Sequence, residues 1–146
     1  MRLLIDDSNA LPEDSGAYLL LIDLAEPVPL PERFAGKFLL EGRYGYAGSA
    51  RGPGGIRARY RRHLSRHAKR HWHVDWLTRP ASDIQVIARS EDFECSLINS
   101  LAGQPFVGFP LKGFGSTNCR RCPAHLVRFD RYDRWDDLTA AIDSAR

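Results

Sequence analysis

Eight basic side chains within a stretch of twenty residues are the first candidates for chemistry in this sequence. They occur without an intervening acid, and they are Arg51, Arg57, Arg59, Arg61, Arg62, Arg66, Lys69 and Arg70. Because they are eight of the 21 lysines and arginines, the rest of the chain has 13 basic against 18 acidic residues. This basic island favours a surface that binds a polyanion, most simply nucleic acid. The alternative is a solvated, arginine-rich helix face without a ligand.

One flank of a predicted helix collects part of the basic island. The helix should begin near Gly55 or Ile56 and run towards Arg70. Its apolar stripe recurs every fourth residue, at Ile56, Tyr60 and Leu64. The flank beside that stripe, at i, i+4, i+7 and i+11, is Arg59, His63, Arg66 and Arg70.

The segment before this helix, residues 48–55, has four glycines and is predicted to be a loop. Such a loop lets backbone amides at a helix N-terminus approach a phosphate, and the Arg59 guanidinium could bind the same group. Arg57, Arg61 and Arg62 are predicted to face outwards, where they could contact a nucleic-acid backbone.

Glu94 is a carboxylate within an apolar pattern. A helix over residues 93–101 would place it in one stripe with Leu97, Ile98 and Leu101. A carboxylate aimed at a core needs a partner, a metal or a cleft that admits water. The alternative is a first-turn position, favoured by the helix dipole and reached by solvent.

The remaining patterns predict one α/β (α+β) domain, a small sheet with helices packed on it. Strands are expected over residues 16–24, 37–40, 43–47, 84–88 and 125–129. Helices are expected over 55–70, 72–77, 93–101 and 135–145. The domain should span 1–146, with an N-terminal arm at 1–14 and the C-terminal helix within 130–146. Tyr18 and Tyr46 fall in predicted strands, where core packing is the default.

The bulk composition is that of an ordinary globular protein. The chain has 146 residues, of which 43% are hydrophobic, and its apolar runs are too short for a signal-peptide core or a membrane span. Three cysteines make an odd count that suits a reducing compartment. We therefore expect a cytoplasmic protein with no membrane partner.

Several of these residues occur in a familiar order. Gly16-Ala17-Tyr18, Tyr46-Ala47-Gly48, then Arg59, His63 and Glu94 resemble the motifs of the GIY-YIG nuclease superfamily. Ala17 and Ala47 stand where isoleucine is usual. The superfamily's asparagine has two candidates, Asn99 inside the predicted glutamate helix and Asn118 beyond it.

Further segments are similar to one small, uncharacterised branch of that superfamily, a domain of unknown function that some members fuse to an endonuclease III-like DNA-repair enzyme. These segments are His71-Trp72-His73-Val74-Asp75, Glu94-Cys95, residues 113–119 and residues 122–126.

The resemblance implies a three-stranded antiparallel sheet flanked by helices, and phosphodiester hydrolysis with one divalent metal, Mg²⁺ or Mn²⁺. It implies that Glu94 holds the metal and that Arg59 stabilises charge on the phosphate. Tyr18 would help to activate water, Tyr46 would position or protonate groups at the phosphate, and His63 would assist proton transfer. A hard cation on a carboxylate and a nearby guanidinium suit this chemistry.

A separate cysteine and histidine pattern has the spacing of zinc ligands. Cys119, Cys122 and His125 form C-x2-C-x2-H, and His71, His73 or Cys95 could add a fourth ligand. The alternative is a reduced cysteine pair around a tight turn. We predict no stoichiometric zinc, because the pattern itself supplies only three ligands.

Two hypotheses of different classes follow. The first is a metal-dependent endonuclease acting on DNA, including repair or recombination structures. The second is a nucleic-acid-binding module that keeps the fold without cutting. A phosphate-metabolite binder that uses residues 48–55 ranks behind both, because the sequence has no nucleotide-binding fingerprint.

Overall fold

Eight strands and three helices make up the described part of the chain. The computed structural model describes residues 2–4, 11–30, 34, 37–65, 72–90, 93–115, 122–130, 137 and 140. The strands are β1 (Arg2–Leu4), β2 (Gly16–Leu24), β3 (Val28–Pro29), β4 (Phe38–Leu39), β5 (Gly42–Ala50), β6 (Asp83–Ser90), β7 (Val107–Gly108) and β8 (Leu126–Phe129). The helices are α1 (Gly55–Leu64), α2 (Asp75–Thr78) and α3 (Glu94–Ala102).

The main sheet is antiparallel throughout, with strand order β1-β6-β2-β5-β8-β7. The predicted α+β class and antiparallel sheet are therefore confirmed. The predicted strand number is corrected, since the described residues form six strands in this sheet rather than three. The three long strands β6, β2 and β5 form its centre, and short strands pair with both outer edges because those edges present open backbone groups.

The central strand β2 separates two cores, because its side chains alternate between the faces of the sheet. Tyr18, Leu20 and Ile22 belong to the core covered by α1 and α2, and Leu19 and Leu21 to the core covered by α3. This burial on both faces explains the continuous apolar run in the sequence.

The glycine-rich segment differs from its prediction in two ways. Its first three residues continue β5 as far as Ala50. In addition, the first-turn amides of α1 are occupied, since Ile56 N–H donates to Asp14 O and Arg57 N–H to Pro12 O, each at 3.0 Å. Gly55, at φ +58°, lets this arm approach, because a Cβ there would collide with the carbonyl oxygens of Glu13 and Asp14. The loop thus anchors the arm preceding β2, and the expected phosphate-binding amides are used up by it.

The basic helix is shorter than predicted. Ser65 leaves the helix in an extended conformation, with φ −76° and ψ 102°. The predicted flank that continued through Arg66 to Arg70 is therefore wrong for α1. Arg66, Lys69 and Arg70 lie outside the described residues.

Other boundaries need smaller corrections. Of the strand predicted over residues 37–40, residues 38–39 form β4, which pairs with β3 in a separate two-stranded sheet. The predicted second helix begins at Asp75 rather than Trp72. Of the predicted C-terminal helix, Asp137 and Ala140 are described, and both are helical. Among the described residues, none of the helices has the length and apolar character needed to cross a membrane.

The packing of Gly45 in β5 gives a stability prediction. A Cβ at this position would lie 2.7 Å from Phe129 Cζ and 3.2 Å from Leu19 Cδ1, both in the buried core. We expect Gly45→Ala to lower the free energy of unfolding by about 1–3 kcal/mol, the usual cost of overpacking. Urea unfolding measures it, and Gly103→Ala is the control, because a Cβ there meets nothing within 4 Å. Equal stability of the two variants would contradict this packing.

Candidate functional site

Two tyrosines meet on one face of the sheet where β2 pairs with β5. Tyr18 lies opposite Gly48, and Tyr46 lies opposite Leu20, so the two rings are diagonal neighbours. A Cβ at Gly48 would collide with the Tyr18 hydroxyl, and one at Gly115 would lie 2.6 Å from the Tyr46 ring. Glycine at both positions therefore creates the space that the two rings occupy.

His63 joins α1 to this pair. Its Nε2 lies 2.8 Å from Tyr18 Oη, and both side chains are buried. Burial is the main reason that the pKa of His63 falls to about 3, with Asp75 opposing the shift and Arg59 and Arg62 adding to it. The imidazole is thus neutral at physiological pH. Its Nδ1 has no hydrogen-bond partner within the described residues.

Arg59 holds the positive charge nearest the tyrosines. Its guanidinium carbon lies 4.6 Å from the centroid of the Trp72 ring, a cation–π arrangement. Its positive charge opposes the effect of burial on the pKa of the Tyr18 phenol. Of the described acidic residues, none forms an ion pair with Arg59.

Arg62 lies on the same indole but is already neutralised. Its guanidinium carbon is 4.4 Å from the Trp72 centroid, and it makes two hydrogen bonds of 3.1 and 3.3 Å to the buried Asp75 carboxylate. Asp75 also accepts the Trp72 backbone N–H at 2.9 Å. These contacts fix Trp72 against α1, so that Arg59 lies over a rigid aromatic surface.

Glu94 supplies the negative charge. It is the first residue of α3, in the first turn, and it is partly exposed. The first-turn reading of the sequence is therefore correct. Burial raises the pKa of Tyr18 and of Tyr46 far above the ordinary value, and the Glu94 charge raises both further. Within the described part of the chain, the Glu94 carboxylate has no hydrogen-bond or ion-pair partner.

The structure thus brings together five residues that the sequence singled out, namely Tyr18, Tyr46, Arg59, His63 and Glu94. They come from β2, β5, α1 and α3. An uncompensated cation and an uncompensated carboxylate flank two neutral phenols, one of which is bonded to a neutral imidazole. This arrangement can bind an anion at Arg59 and a cation at Glu94, and it can relay a proton between Tyr18 and His63.

The other basic residues are placed unevenly. Arg57 is bonded to Leu11 O at 2.9 Å and to Glu13 at 2.8 Å, so it holds the N-terminal arm rather than facing outwards. Arg62 is likewise committed to Asp75. Arg51 is exposed and lies 4.5 Å from the ring centroid of Phe93, itself 62% exposed, and Arg61 is exposed.

The sequence did not reveal the role of Trp72 or Asp75. Trp72 is partly exposed, and the guanidinium groups of both Arg59 and Arg62 lie against its ring. The available signal for this role was Asp75, an acidic residue three positions after Trp72. Asn99 is exposed on α3, and Asn118 lies outside the described residues.

A second group of side chains lies close enough to hold a metal ion. The ligand atoms of Cys95, Cys122 and His125 are within 4.8 Å of one another. His73 takes no part, since its Nδ1 accepts the Gly115 N–H at 3.0 Å. Cys119 and His71 lie outside the described residues.

Two cavities bear on where a ligand could bind. A cleft of about 130 Å³ beside Arg59, Arg62 and Trp72 adjoins the site. A larger cavity of about 570 Å³, lined by residues 25–30 with Trp76, Arg79 and Pro80, lies elsewhere. We assign the candidate site to the cleft, because Arg59 lines it.

Comparison with known families identifies the class of protein. A family model described as "Domain of unknown function DUF123" matches residues 17–145. The chain therefore belongs to that family. No curated protein and no solved structure matches it.

The buried imidazole predicts a pH dependence of stability. An unfolded chain protonates His63 near its ordinary pKa of 6.5, whereas the folded protein resists protonation down to about 3. Its contribution is therefore complete above pH 6.5 and is lost as the pH falls towards 3, at up to about 1.4 kcal/mol per pH unit.

We expect His63→Gln to remove this component. The check is urea unfolding of both proteins between pH 7.5 and pH 4.5, together with an NMR titration of the wild-type imidazole. Parallel curves for the two proteins, or an imidazole resonance that titrates near pH 6.5, would contradict the neutral buried histidine.

Proposed function

We propose that the protein is a metal-dependent endonuclease of the GIY-YIG type that hydrolyses phosphodiester bonds in DNA. The observation that carries the proposal is the convergence of Tyr46, Arg59 and Glu94 on Tyr18, since all three act on the pKa of its phenol. These residues come from four elements of the fold, namely β2, β5, α1 and α3. A core tyrosine would need neither an uncompensated arginine nor an uncompensated glutamate beside it.

Arg59 is suited to a phosphate. Its ring contact with Trp72 restricts the guanidinium before any substrate binds, and within the described residues no carboxylate competes for it. A preorganised charge of this kind acts most strongly on an anion whose charge grows in the transition state. Arg62 is less suited to a phosphate, because its guanidinium already forms an ion pair with Asp75.

Glu94 fits a divalent cation such as Mg²⁺ or Mn²⁺. Mg²⁺ is commonly held by one or two carboxylates, with waters and substrate phosphate oxygens completing its shell. Glu94 is partly exposed and lacks a partner among the described residues, as such a ligand requires. When bound, the metal would supply Lewis-acid polarisation of the phosphate.

Tyr18 and His63 form the proton-transfer pair of the proposal. Tyr18 Oη lies 2.8 Å from His63 Nε2, so the phenol can donate its proton to the imidazole. The Tyr18 oxygen would then take a proton from the attacking water while the phenol proton passes to the imidazole. Burial keeps both groups neutral in the resting protein, so the proton would move only during the reaction.

The surface around the site has features of a DNA-backbone contact. Arg51 and Phe93 form an exposed cation–aromatic pair next to Glu94, and Arg61 is exposed on α1. Guanidinium groups at such positions can contact phosphates on either side of the scissile bond. Repair or recombination structures remain the proposed DNA substrates, on the resemblance given above.

A second candidate is a nucleic-acid-binding module without cleavage. The observation that favours it is the depth of the proton-transfer pair, since Tyr18 is 2% exposed and His63 is 3% exposed. A substrate that cannot reach the phenol would still bind Arg51 and Arg61.

The cleavage prediction uses Glu94→Gln and Arg59→Ala. We expect Glu94→Gln to abolish cleavage while DNA binding persists, because the side-chain shape remains and the anionic ligand is lost. Arg59→Ala should lower the rate about a hundred- to a thousandfold, the usual effect of one preorganised charge. Cleavage of a labelled panel of duplex, branched and single-stranded DNA with Mg²⁺ or Mn²⁺, and with chelator, measures both effects.

Arg61→Ala is the matched control, since it removes an exposed arginine from the same helix, and its rate on prebound DNA should stay within a few-fold of wild type. If wild type binds the panel tightly and cuts no member of it, the binding module is the correct function.

Binding should also depend on salt through the exposed arginines. On duplex DNA the logarithm of the binding constant falls linearly with the logarithm of the salt concentration, with a slope of about −0.9 for each phosphate contact. Replacing Arg51 and Arg61 together with serine should therefore flatten the slope by up to about 1.8. Lys37→Ser, an exposed residue beside β4, should leave it unchanged. A double variant with the wild-type slope would show that these arginines do not face the DNA.

A further inference from the structure

Cys95, Cys122 and His125 converge from separate parts of the chain. Cys95 is the second residue of α3, whereas Cys122 and His125 precede β8. The distance from Cys95 Sγ to His125 Nε2 is 4.0 Å, and the three ligand atoms lie within 4.8 Å of one another. Cys122 and His125 are buried, and Cys95 is partly buried. In the described part of the chain, this is the one group of three or more potential metal-ligating residues.

The backbone around His125 is held in a fixed position. Its carbonyl accepts the Ala47 N–H of β5 at 2.9 Å, and its own N–H donates to Phe114 O at 2.9 Å. Nearby, Gly113 N–H donates to Pro123 O at 2.7 Å. One ligand is therefore attached to the strand that carries Tyr46, before any metal binds.

The cluster is distinct from the tyrosine site. Cys122 belongs to the core on the α3 side of the sheet, and Cys95 packs against that core. Tyr18 and Tyr46 belong to the core on the opposite side. A metal at the cluster would thus act on the packing of α3 against β5 and β8 rather than on the phenols.

The donor set selects the metal. Two thiols and an imidazole suit Zn²⁺, whereas Mg²⁺ and Mn²⁺ prefer oxygen ligands. Tetrahedral zinc, with Zn–S of about 2.3 Å and Zn–N of about 2.0 Å, places sulfur and nitrogen ligands about 3.5 Å apart. The observed 4.0 Å between Cys95 Sγ and His125 Nε2 needs only a small contraction.

We propose that Cys95, Cys122 and His125 bind one Zn²⁺ ion that joins the first turn of α3 to the β5–β8 strand pair of the sheet. The C-x2-C-x2-H pattern predicted no stoichiometric zinc, because it supplies only three ligands. The fold brings Cys95 to Cys122 and His125, and a water molecule would take the fourth position that three protein ligands leave open. Since Glu94 is the residue before it, the zinc also fixes the start of the helix that carries the carboxylate. The zinc site itself does not depend on the proposed nuclease activity.

The test begins with wild-type protein purified under reducing conditions without added metal. Elemental analysis should find about one zinc per chain. Removing it with a chelator should lower the melting temperature by roughly 10 °C or more, because structural zinc contributes directly to folding. Zn²⁺ should restore the melting temperature, and Mg²⁺ should not. Co²⁺ added to the zinc-free protein should give a thiolate-to-cobalt charge-transfer band.

The variant test uses Cys95→Ser, with Ser96→Ala as the control on the neighbouring exposed position. Cys95→Ser should weaken zinc binding by more than about a hundredfold, beyond the usual effect of a residue that only supports a ligand. Ser96→Ala should retain wild-type affinity.

Two results would overturn the proposal. One is reduced wild type with less than about a tenth of a zinc per chain and no cobalt–thiolate band. The other is Cys95→Ser with unchanged zinc content and affinity. The cobalt spectrum of wild type decides the matter even if the variant does not fold.

Discussion

The hydrogen bond between Tyr18 Oη and His63 Nε2 is the interaction on which the candidate site depends. It joins the central strand β2 to α1 at 2.8 Å, in a place where neither group can ionise at low cost. Gly48 makes the contact possible, because any side chain there would displace the hydroxyl. Once His63 is fixed, the rotation of α1 is fixed, and Arg59 is directed towards the phenols. The orientation of the site therefore follows from one buried polar pair.

The rotation of α1 gives its arginines different contacts. Arg57 and Arg62 secure α1 to the N-terminal arm and to Asp75, whereas Arg59 keeps its charge uncompensated within the described residues. These side chains carry the same charge, but their contacts determine whether that charge is neutralised within the protein. The same distinction separates the two proposed metal sites. The oxygen of Glu94 suits a hard cation, whereas the sulfur and nitrogen donors of the cysteine–histidine cluster suit zinc.

Local patterns in the sequence predicted much of the fold and of the site. The continuous apolar run of β2 predicted its bounds, and the motif order predicted that Tyr18, Tyr46, Arg59, His63 and Glu94 belong together. The failures have long-range causes. Three features depend on segments distant in sequence. They are the end of α1 at Leu64, the hydrogen bonds from the first amides of α1 to the N-terminal arm, and the approach of Cys95 to His125. A sequence pattern carries no direct information on such contacts.

Single-turnover cleavage by Tyr18→Phe tests the central claim most directly. The phenylalanine ring keeps the packing of β2, so the fold should be retained, and saturating protein removes any effect of the lost Tyr18–His63 bond on DNA affinity. With DNA prebound at saturating protein and Mn²⁺ present, we predict a rate at least about a hundredfold below wild type, the scale of a lost general acid–base group. A variant that cuts as fast as wild type, or a wild type that does not cut, would contradict the account.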